Sequence, residues 1–305
     1  MKNVTLRQQR VFEAVARNLS FSRAAEEMHL TQPAVSMQVR ALEEQVDLPL
    51  FEHIGKKIRL TAAGEELLRH ARRIDRQIQD AGEALAALRG ATGGRLTIGV
   101  VSTAKYFAPK LIIAFLRTHP DADLRLVVRN RDTIVRQLGD NEIDLAIMGS
   151  PPSDFETVAE AFADHPLSII ANPEHPLAKV RTVRPEELAA ERFLIRELGS
   201  GTRSTMERYF EAAGVALQKT IEMESNETVK QAVMAGMGLG FISEHAISLE
   251  LATQQVVRLN VTGTPVMRRW YVVHRPEKRL LPIADAFLDF IRADAAALMA
   301  GAGTG

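Results

Sequence analysis

Apolar residues recur at helical spacing near the start of the chain. Stripes over 6–16 and 21–28 repeat every three or four positions, which predicts two helices. A third helix is predicted to begin after Thr31, which can cap it, with Pro33 in its first turn, where a missing N–H costs nothing. A tight turn separates the second helix from the third. This is the pattern of a helix-turn-helix, in which the helix after the turn enters the DNA major groove.

Two short strands and a long helix are predicted next. The strands, at 50–54 and 58–60, are joined by the basic turn Gly55-Lys56-Lys57, so they form a hairpin that can lie along a phosphate backbone. From 61 to 89, apolar residues alternate steps of four and three, which is an a/d register. This seam consists of Leu67, Ala71, Ile74, Ile78, Ala81, Leu85 and Leu88. We expect the helix to pair with the same helix of a second subunit. The alternative is that one face packs on its own domain.

From residue 95 the pattern changes to short buried strands that alternate with helices. Strands are predicted at 96–101, 124–128, 144–148, 167–171, 193–195, 220–223, 240–242 and 270–273. Helices are predicted at 104–117, 133–138, 202–213, 226–235 and 283–291. This alternation favours βαβ units with parallel strands, hence an α/β fold class after an α-helical N-terminal module.

Composition narrows the possible functions. The 305 residues hold 38 basic and 38 acidic side chains, so any affinity for DNA must come from local charge and from dimerisation. The absence of cysteine excludes disulfides and thiolate metal sites. The histidines show no metal-ligand spacing and no catalytic motif is visible, so we expect no metal and no enzyme activity. Because the N-terminal residues lack the apolar core of a signal peptide and no apolar run could span a bilayer, we expect a cytoplasmic location without membrane contact.

Two groups of phrases resemble a known family. FSRAAEEMHLTQPAVSMQVRALEEQVDLPLFEH and the later LTAAG resemble the LysR-type transcriptional regulators, and the resemblance covers almost the whole chain. VVSTAKYFAPKLI and ESNETVKQAVMAGMGLGFIS are most similar to the subgroup that controls carbon-fixation (Calvin-cycle, RuBisCO) operons. The resemblance implies a winged helix-turn-helix, a dimerising linker helix and a two-lobed effector domain like a periplasmic binding protein. The expected boundaries are 1–61, 62–92 and 93–300, with lobe one at 95–163 and 268–292, lobe two at 164–267, and a disordered tail at 301–305.

The resemblance also implies which residues meet DNA. Gln32 can bond an adenine edge through its amide, and Pro33 can rest on a thymine methyl. Met37 and His53 stand where the family often has arginine, which leaves phosphate contacts there in doubt. The expected DNA-contacting residues are Thr31, Gln32, Pro33, Ser36, Met37, Arg40, His53, Lys56 and Lys57. The alternative is a well-capped helix start followed by a solvated hairpin tip.

A second set of polar residues follows predicted strands in the later part of the chain. Hydroxyl groups and free N–H groups at a helix start favour an anion. The expected effector-binding residues are Ser102, Thr103, Lys105, Asn130, Arg131, Gly149, Thr202 and Asn226. For most of them the alternative is ordinary helix capping. The resemblance implies a phosphorylated metabolite or a reduced nicotinamide nucleotide (NADPH) as the effector, and no cofactor.

The predicted function is that of a ligand-responsive, DNA-binding transcriptional activator of a carbon-fixation operon. Its expected partners are double-stranded promoter DNA, further copies of itself in a homodimer or a dimer of dimers (a homotetramer), and RNA polymerase. The alternatives are a LysR-type regulator of another operon, such as one for sulfur or amino-acid metabolism, a solute-binding protein, or an enzyme on the same bilobed fold. The helix-turn-helix pattern favours the regulator.

Overall fold

The computed structural model describes residues 4–55, 57–88 and 94–300, with 86–88 and 300 described by their backbone alone. The chain divides into two compact units, one built on residues up to Gly82 together with Asp140–Glu142, the other on the remainder. The predicted DNA contact of Lys56 and the predicted disorder of 301–305 lie outside the described residues.

The first unit begins with three helices and a hairpin. Its elements are α1 (Leu6–Asn18), α2 (Phe21–Glu27), α3 (Gln32–Val46), β1 (Phe51–Ile54), β2 (Lys57–Leu60) and α4 (Ala62–Leu88), the last of which continues beyond Gly82. The side chains of Thr5, Ser20 and Thr31 each accept a backbone N–H at the start of a helix. Buried side chains from all three helices, among them Val15 and Val39, form the core. The predicted winged helix-turn-helix is confirmed.

The start of α4 is fixed against the strand hairpin. The Thr61 hydroxyl accepts the N–H of Gly64 at 3.0 Å and donates to the Pro49 carbonyl at 2.6 Å. A Cβ on Gly64 would lie 2.1 Å from the Leu50 carbonyl oxygen, a distance that no side chain tolerates. Glycine therefore lets the long helix approach the hairpin backbone directly.

The second unit is a nine-stranded sheet covered by helices. Its strands are β3 (Gly94–Val101), β4 (Ala122–Arg129), β5 (Leu145–Met148), β6 (Val158–Ala171), β7 (Arg192–Arg196), β8 (Lys219–Met223), β9 (Leu239–Ser243), β10 (Val257–Arg258) and β11 (Val266–His274). Its helices are α5 (Ala108–Thr118), α6 (Arg131–Gly139), α7 (Gly201–Ala212), α8 (Asn226–Met234), α9 (Ser248–Ala252) and α10 (Pro282–Ala300). The strand order is β4-β3-β5-β11-β6-β9-β7-β8, and β10 pairs with β6.

Two long strands join two parallel halves of this sheet. β3 runs parallel to β4 and β5, and β7 runs parallel to β8 and β9. Between these halves, β6 and β11 pair in antiparallel register over the whole length of β11, and the last residues of β6 pair with β9 and β10. One large apolar cluster, which includes Phe115, Trp270 and Phe287, fills the first half. Separate clusters cover the two faces of the second half. The predicted α/β fold class with two such halves is confirmed.

Two elements differ from the sequence expectation. The helix predicted at 104–117 is a 3-10 turn at Ala104–Tyr106 followed by α5, because Pro109 has no N–H with which to continue a helix from the preceding turn. The strand predicted at 167–171 extends back to Val158. The added part, 158–166, is rich in alanine, carries Glu160 and Asp164 and contains Pro166, so pairing with β11, rather than local pattern, defines it. No helix within the described ranges is long and apolar enough to cross a membrane.

Candidate functional site

The recognition helix α3 presents a polar edge to solvent. Thr31, Gln32 and Pro33 are exposed, and Val35 and Val39 on the opposite side are buried in the core. The Gln32 amide donates to the Ser36 hydroxyl at 3.0 Å, so the two side chains share one orientation. Met37 is 65% exposed on the same helix. The side chains predicted to read base edges are therefore accessible on one helix.

The basic side chains that flank this helix face differ in their exposure and in their ion pairs. Arg40 is exposed but lies 3.3 Å from Glu44, one helical turn away. His53 on β1 and Lys57 on β2 are both exposed in the hairpin, where His53 lies opposite Ile58 and Ile54 opposite Lys57. The hairpin and the recognition helix therefore each carry an exposed basic side chain.

The apolar seam predicted along α4 is buried against the same chain in its first part and exposed in its later part. Ala71 is fully buried, and its carbonyl accepts the Gln9 amide of α1 at 2.6 Å. Leu67 packs against the cluster that contains Phe12. At these two positions the helix packs on its own chain, and the dimer contact predicted there stays a prediction. Further along, the exposed fractions are 45% for Ile74, 38% for Ile78 and 57% for Leu85, and Ala81 is also exposed. The side chain of Leu88 lies outside the described residues. The later part of the seam is thus open to a partner.

A pocket of about 350 Å³, its open mouth included, lies in the second unit. Its walls are the ends of β3 and β5, the starts of α6 and α7, the middle of β6 and the beginning of β11. The lining residues are Val101, Ser102, Thr103, Arg131, Gly149, Ser150, His165, Ser200, Gly201, Thr202 and Arg268. Five of the eight predicted effector-binding residues are therefore brought together: Ser102, Thr103, Arg131, Gly149 and Thr202. None of these described lining residues carries a carboxylate side chain.

The pocket is electropositive. Arg268 donates from Nη1 to the Gly201 carbonyl at 3.0 Å and to the Thr205 hydroxyl at 2.6 Å. Burial, with the positive charges of Arg208 and Arg131 nearby, lowers the pKa of Arg268 to about 10, so it stays a cation at neutral pH. Arg131 donates to the Pro151 carbonyl, and its nearest acid, Asp132, is 3.7 Å away and largely exposed. Two guanidinium groups therefore face a pocket with little negative charge to balance them.

The start of α7 adds backbone donors. Ser200 is the N-cap residue, but its side chain makes no capping hydrogen bond. Gly201 and Thr202, the first two residues of the helix, line the pocket. The N–H groups of a helix start carry a partial positive charge that favours an anion. Hydroxyls, guanidiniums and a helix start thus converge on one space.

Three predicted effector contacts lie outside this lining. Lys105 is 3.9 Å from Glu227, and Asn130 caps α6 by accepting the Thr133 N–H. Asn226 is buried and accepts a hydrogen bond from Arg196. Of these three residues, Asn226 lies directly behind the lining, within 3.5 Å of the Thr103 hydroxyl.

Arg196 supports the pocket wall from behind. Its side chain is 2% exposed and lies 2.7 Å from the Glu197 carboxylate. It also donates to the Ser102 hydroxyl at 3.2 Å, and Asn226 lies within 3.5 Å of the Thr103 hydroxyl. This network fixes the two hydroxyl side chains that follow β3. Sequence reasoning missed Arg196, as it missed Ser150, His165, Ser200 and Arg268 in the lining.

Comparison with known proteins identifies the two units. Residues 6–65 match the bacterial regulatory helix-turn-helix protein of the lysR family, and residues 89–296 match the LysR substrate binding domain. The chain belongs to the LysR family of transcriptional regulators. The predicted resemblance to this family is confirmed.

Relatives of this LysR-family chain are named as transcriptional regulators, among them one of the RuBisCO operon. It is 50% identical over 294 residues to the RuBisCO operon transcriptional regulator of Allochromatium vinosum, covering 96% of this chain and 97% of that one. It is 48% identical to the regulator CfxR of Cupriavidus necator, covering 94% and 90%. The predicted resemblance to the carbon-fixation subgroup is also confirmed.

Two solved structures are similar as well. Full-length CbnR in complex with its target DNA has a TM-score of 0.71 at 26% identity, covering 94% of this chain and 99% of that one. The regulatory domain of CcmR from Synechocystis PCC6803, in complex with 2-PG (2-phosphoglycolate), has a TM-score of 0.63 at 37% identity, covering 66% and 96%.

Proposed function

We propose that this chain activates transcription of a RuBisCO operon and that a small phosphorylated acid, such as 2-phosphoglycolate, controls it. The single observation that carries the effector class is the lining of the pocket. Hydroxyl groups, a helix start and the cations Arg131 and Arg268 surround it, and its described lining holds no carboxylate. An anion therefore gains from every polar group that it meets there. The relatives named for the RuBisCO operon and the CcmR domain with 2-PG support the same class.

The size of the pocket favours a small acid over a dinucleotide. Its enclosed space is about 20 Å³, well below the ~300–1,000 Å³ typical of small-molecule sites, so any effector must widen it, and a small acid needs less widening than a dinucleotide. Phosphoglycolate has one phosphate and one carboxylate on a two-carbon frame. A reduced nicotinamide nucleotide is several times larger, so we place it second among the candidate effectors.

The DNA-binding form is proposed to be a dimer. The exposed side chains of Ile74, Ile78 and Leu85 cover part of one helix face, and burying them against a second copy removes apolar surface from water. Two recognition helices then meet two half-sites, and the contacts of Gln32, Pro33, Ser36 and Met37 specify sequence. Dimers of dimers and contact with RNA polymerase belong to the same proposal, as does a cytoplasmic location, where promoter DNA is found.

The effector is proposed to act by shifting a conformational equilibrium. It changes the protein only as far as it binds one arrangement of the two halves of the sheet more tightly than the other. We expect such a difference in affinity because the residues of the pocket come from both halves of the sheet and from the strands that join them. The resulting change in the spacing of the DNA-binding pairs alters the bend of the promoter.

A footprint on the promoter tests this function. The full-length protein is incubated with a fragment upstream of a RuBisCO operon from its own genome, with 2-phosphoglycolate, NADPH or neither. We expect protection of a partly symmetric site, and a change in the protected or hypersensitive positions with 2-phosphoglycolate. Protection that no phosphorylated metabolite alters contradicts the proposed effector class. Equal protection of unrelated DNA contradicts the proposed operon.

A further inference from the structure

Two polar side chains stand together on the strands that join the halves of the sheet. His165 of β6 and Arg268 of β11 are directly opposite each other in the antiparallel register. Both line the pocket. Because cross-strand partners project from the same face of a sheet, the pair forms one part of the pocket wall that is distinct from the hydroxyl groups of Ser102, Thr103 and Thr202.

His165 is buried without the partners that a buried polar group needs. The residue is 3% exposed, and within the described part of the chain neither ring nitrogen has a hydrogen-bond partner. Its ring stacks on Trp270 with the ring centroids 3.8 Å apart and the planes 15° from parallel. Leaving both nitrogens unsatisfied costs folding free energy. A residue held this firmly at that cost is placed for a ligand.

Glycine keeps the space in front of this pair open. A Cβ on Gly149 would lie 2.7 Å from His165 Nδ1 and 3.2 Å from Arg268 Nη2. One small region of the pocket therefore borders an imidazole nitrogen and a guanidinium nitrogen at once. Nη1 of Arg268, by contrast, is already bonded to Gly201 and Thr205.

The charge state of the pair defines what it can bind. Burial, together with the positive charge of Arg268, lowers the pKa of His165 to about 2, so the imidazole is neutral at pH 7. A neutral imidazole has one N–H donor and one acceptor nitrogen. Beside the guanidinium, it offers a second donor to a carboxylate or a hydroxyl oxygen.

We propose that His165 and Arg268 hold the second oxygen-bearing group of a two-headed acid, and that this contact makes the site selective against simple phosphate esters. The hydroxyl groups and the start of α7 hold one head of the ligand, and the cross-strand pair holds the other. The inference rests on the proposed function, since it concerns the same site. It adds a specificity-determining residue and a requirement for a ligand with two heads.

Calorimetry with two probes tests the inference. 2-Phosphoglycolate has both heads, and methyl phosphate has one. Each is titrated into the full-length protein, into His165→Phe, which keeps an aromatic ring on Trp270 but removes both nitrogens, and into His165→Asn, which restores one donor and one acceptor. The matched control is His245→Phe. The His245 ring lies 6.0 Å from Trp270 in the same aromatic group but does not line the pocket.

We expect His165→Phe to weaken the binding of 2-phosphoglycolate about tenfold, the effect of losing one hydrogen bond to a charged oxygen, and to change methyl phosphate less than about twofold. His165→Asn should recover part of the loss, and His245→Phe should bind as the wild type does. Should His165→Phe fail to fold, His165→Leu carries the same comparison.

The remaining outcomes overturn the inference. Unchanged affinity in His165→Phe removes His165 from the site, and an equal loss for both probes shows that it only shapes the pocket. A wild-type protein that binds 2-phosphoglycolate no better than methyl phosphate refutes the selectivity while leaving the proposed function intact. A wild-type protein that binds neither probe refutes the proposed effector class, and the inference with it.

Discussion

Replacing Arg268 by methionine should separate effector binding from folding. Arg268 is a largely buried cation that makes no ion pair within the described ranges, and the positive charges of Arg131 and Arg208 oppose it. Methionine keeps much of the aliphatic stem and removes the charge. We expect the variant to fold with nearly wild-type stability and to lose its response to the effector.

The magnitude follows from the charge and the hydrogen bonds of Arg268. Its pKa falls from 12.5 to about 10 in the folded protein, which corresponds to a cost of about 3 kcal/mol in the free energy of folding. At neutral pH the group is protonated in both the folded and the unfolded state, so this cost is fully present there and diminishes only above pH 10. The bonds to Gly201 and Thr205 offset roughly 2–3 kcal/mol. Removing both effects changes stability by about 1 kcal/mol or less.

Arg196→Met is the matched contrast. Arg196 is more deeply buried than Arg268 and is paired with Glu197 and bonded to Asn226. Breaking a buried pair on one side leaves the partner uncompensated and costs about 3–5 kcal/mol.

Urea unfolding with and without 2-phosphoglycolate measures both effects. At about 100 times its dissociation constant the ligand should stabilise the wild type by about 2.7 kcal/mol and Arg268→Met not at all. A loss of more than about 3 kcal/mol in unliganded Arg268→Met, or an undiminished ligand effect, would refute the reasoning.

Further substitutions test the other surfaces. In gel-shift titrations, Gln32→Ala should reduce the preference for one base of the half-site by ~1–3 kcal/mol. Lys57→Ala should instead weaken binding to all sequences and lower the slope of affinity against salt by about one counterion. Equal losses of affinity on every sequence for both variants would contradict this division of roles. Ile78→Glu should shift the protein from dimer towards monomer in sedimentation, and an unchanged dimer would exclude Ile78 from the interface. Gly149→Ala should abolish stabilisation by 2-phosphoglycolate because its Cβ would lie 2.7 Å from His165 Nδ1, and a retained thermal shift would show that the pocket adapts.

Much of the candidate effector site follows from the order of elements along the chain. Ser102 and Gly149 follow parallel strands of one half of the sheet, and Thr202 follows a strand of the other. Parallel strands end at a common edge, so residues just after them are expected to meet. The position of these three residues in one pocket could therefore be predicted without knowing which distant strands pair.

His165 and Arg268 could not be found in that way. They lie inside β6 and β11 rather than just after a strand, and the register that places them side by side joins positions 103 residues apart. Local pattern did not identify residues 158–166 of β6 as a strand, because Glu160, Asp164 and Pro166 resemble a connection. One signal was present in the sequence: Trp270 stands two positions after Arg268, which places both on the same face of a strand.

The apolar seam of α4 shows what periodicity predicts and what it leaves open. The a/d register of α4 was read correctly as a helix with one apolar face, because periodicity reports which side of a helix is apolar. Periodicity does not report what covers that side. Ala71 packs on α1 of its own chain, whereas Ile78 is open. Only the tertiary structure shows which part of the stripe is buried within the chain and which part is exposed.

The central claim is that a small phosphorylated acid in this pocket changes how the protein holds promoter DNA. The most direct measurement is the bend of a RuBisCO promoter fragment carrying a fluorescent donor and acceptor at its two ends, bound by the wild type or by Thr202→Ala. We predict that 2-phosphoglycolate changes energy transfer in the wild-type complex and that Thr202→Ala needs a much higher concentration for the same change. No change in energy transfer at saturating 2-phosphoglycolate, or the same response from both proteins, would contradict the claim.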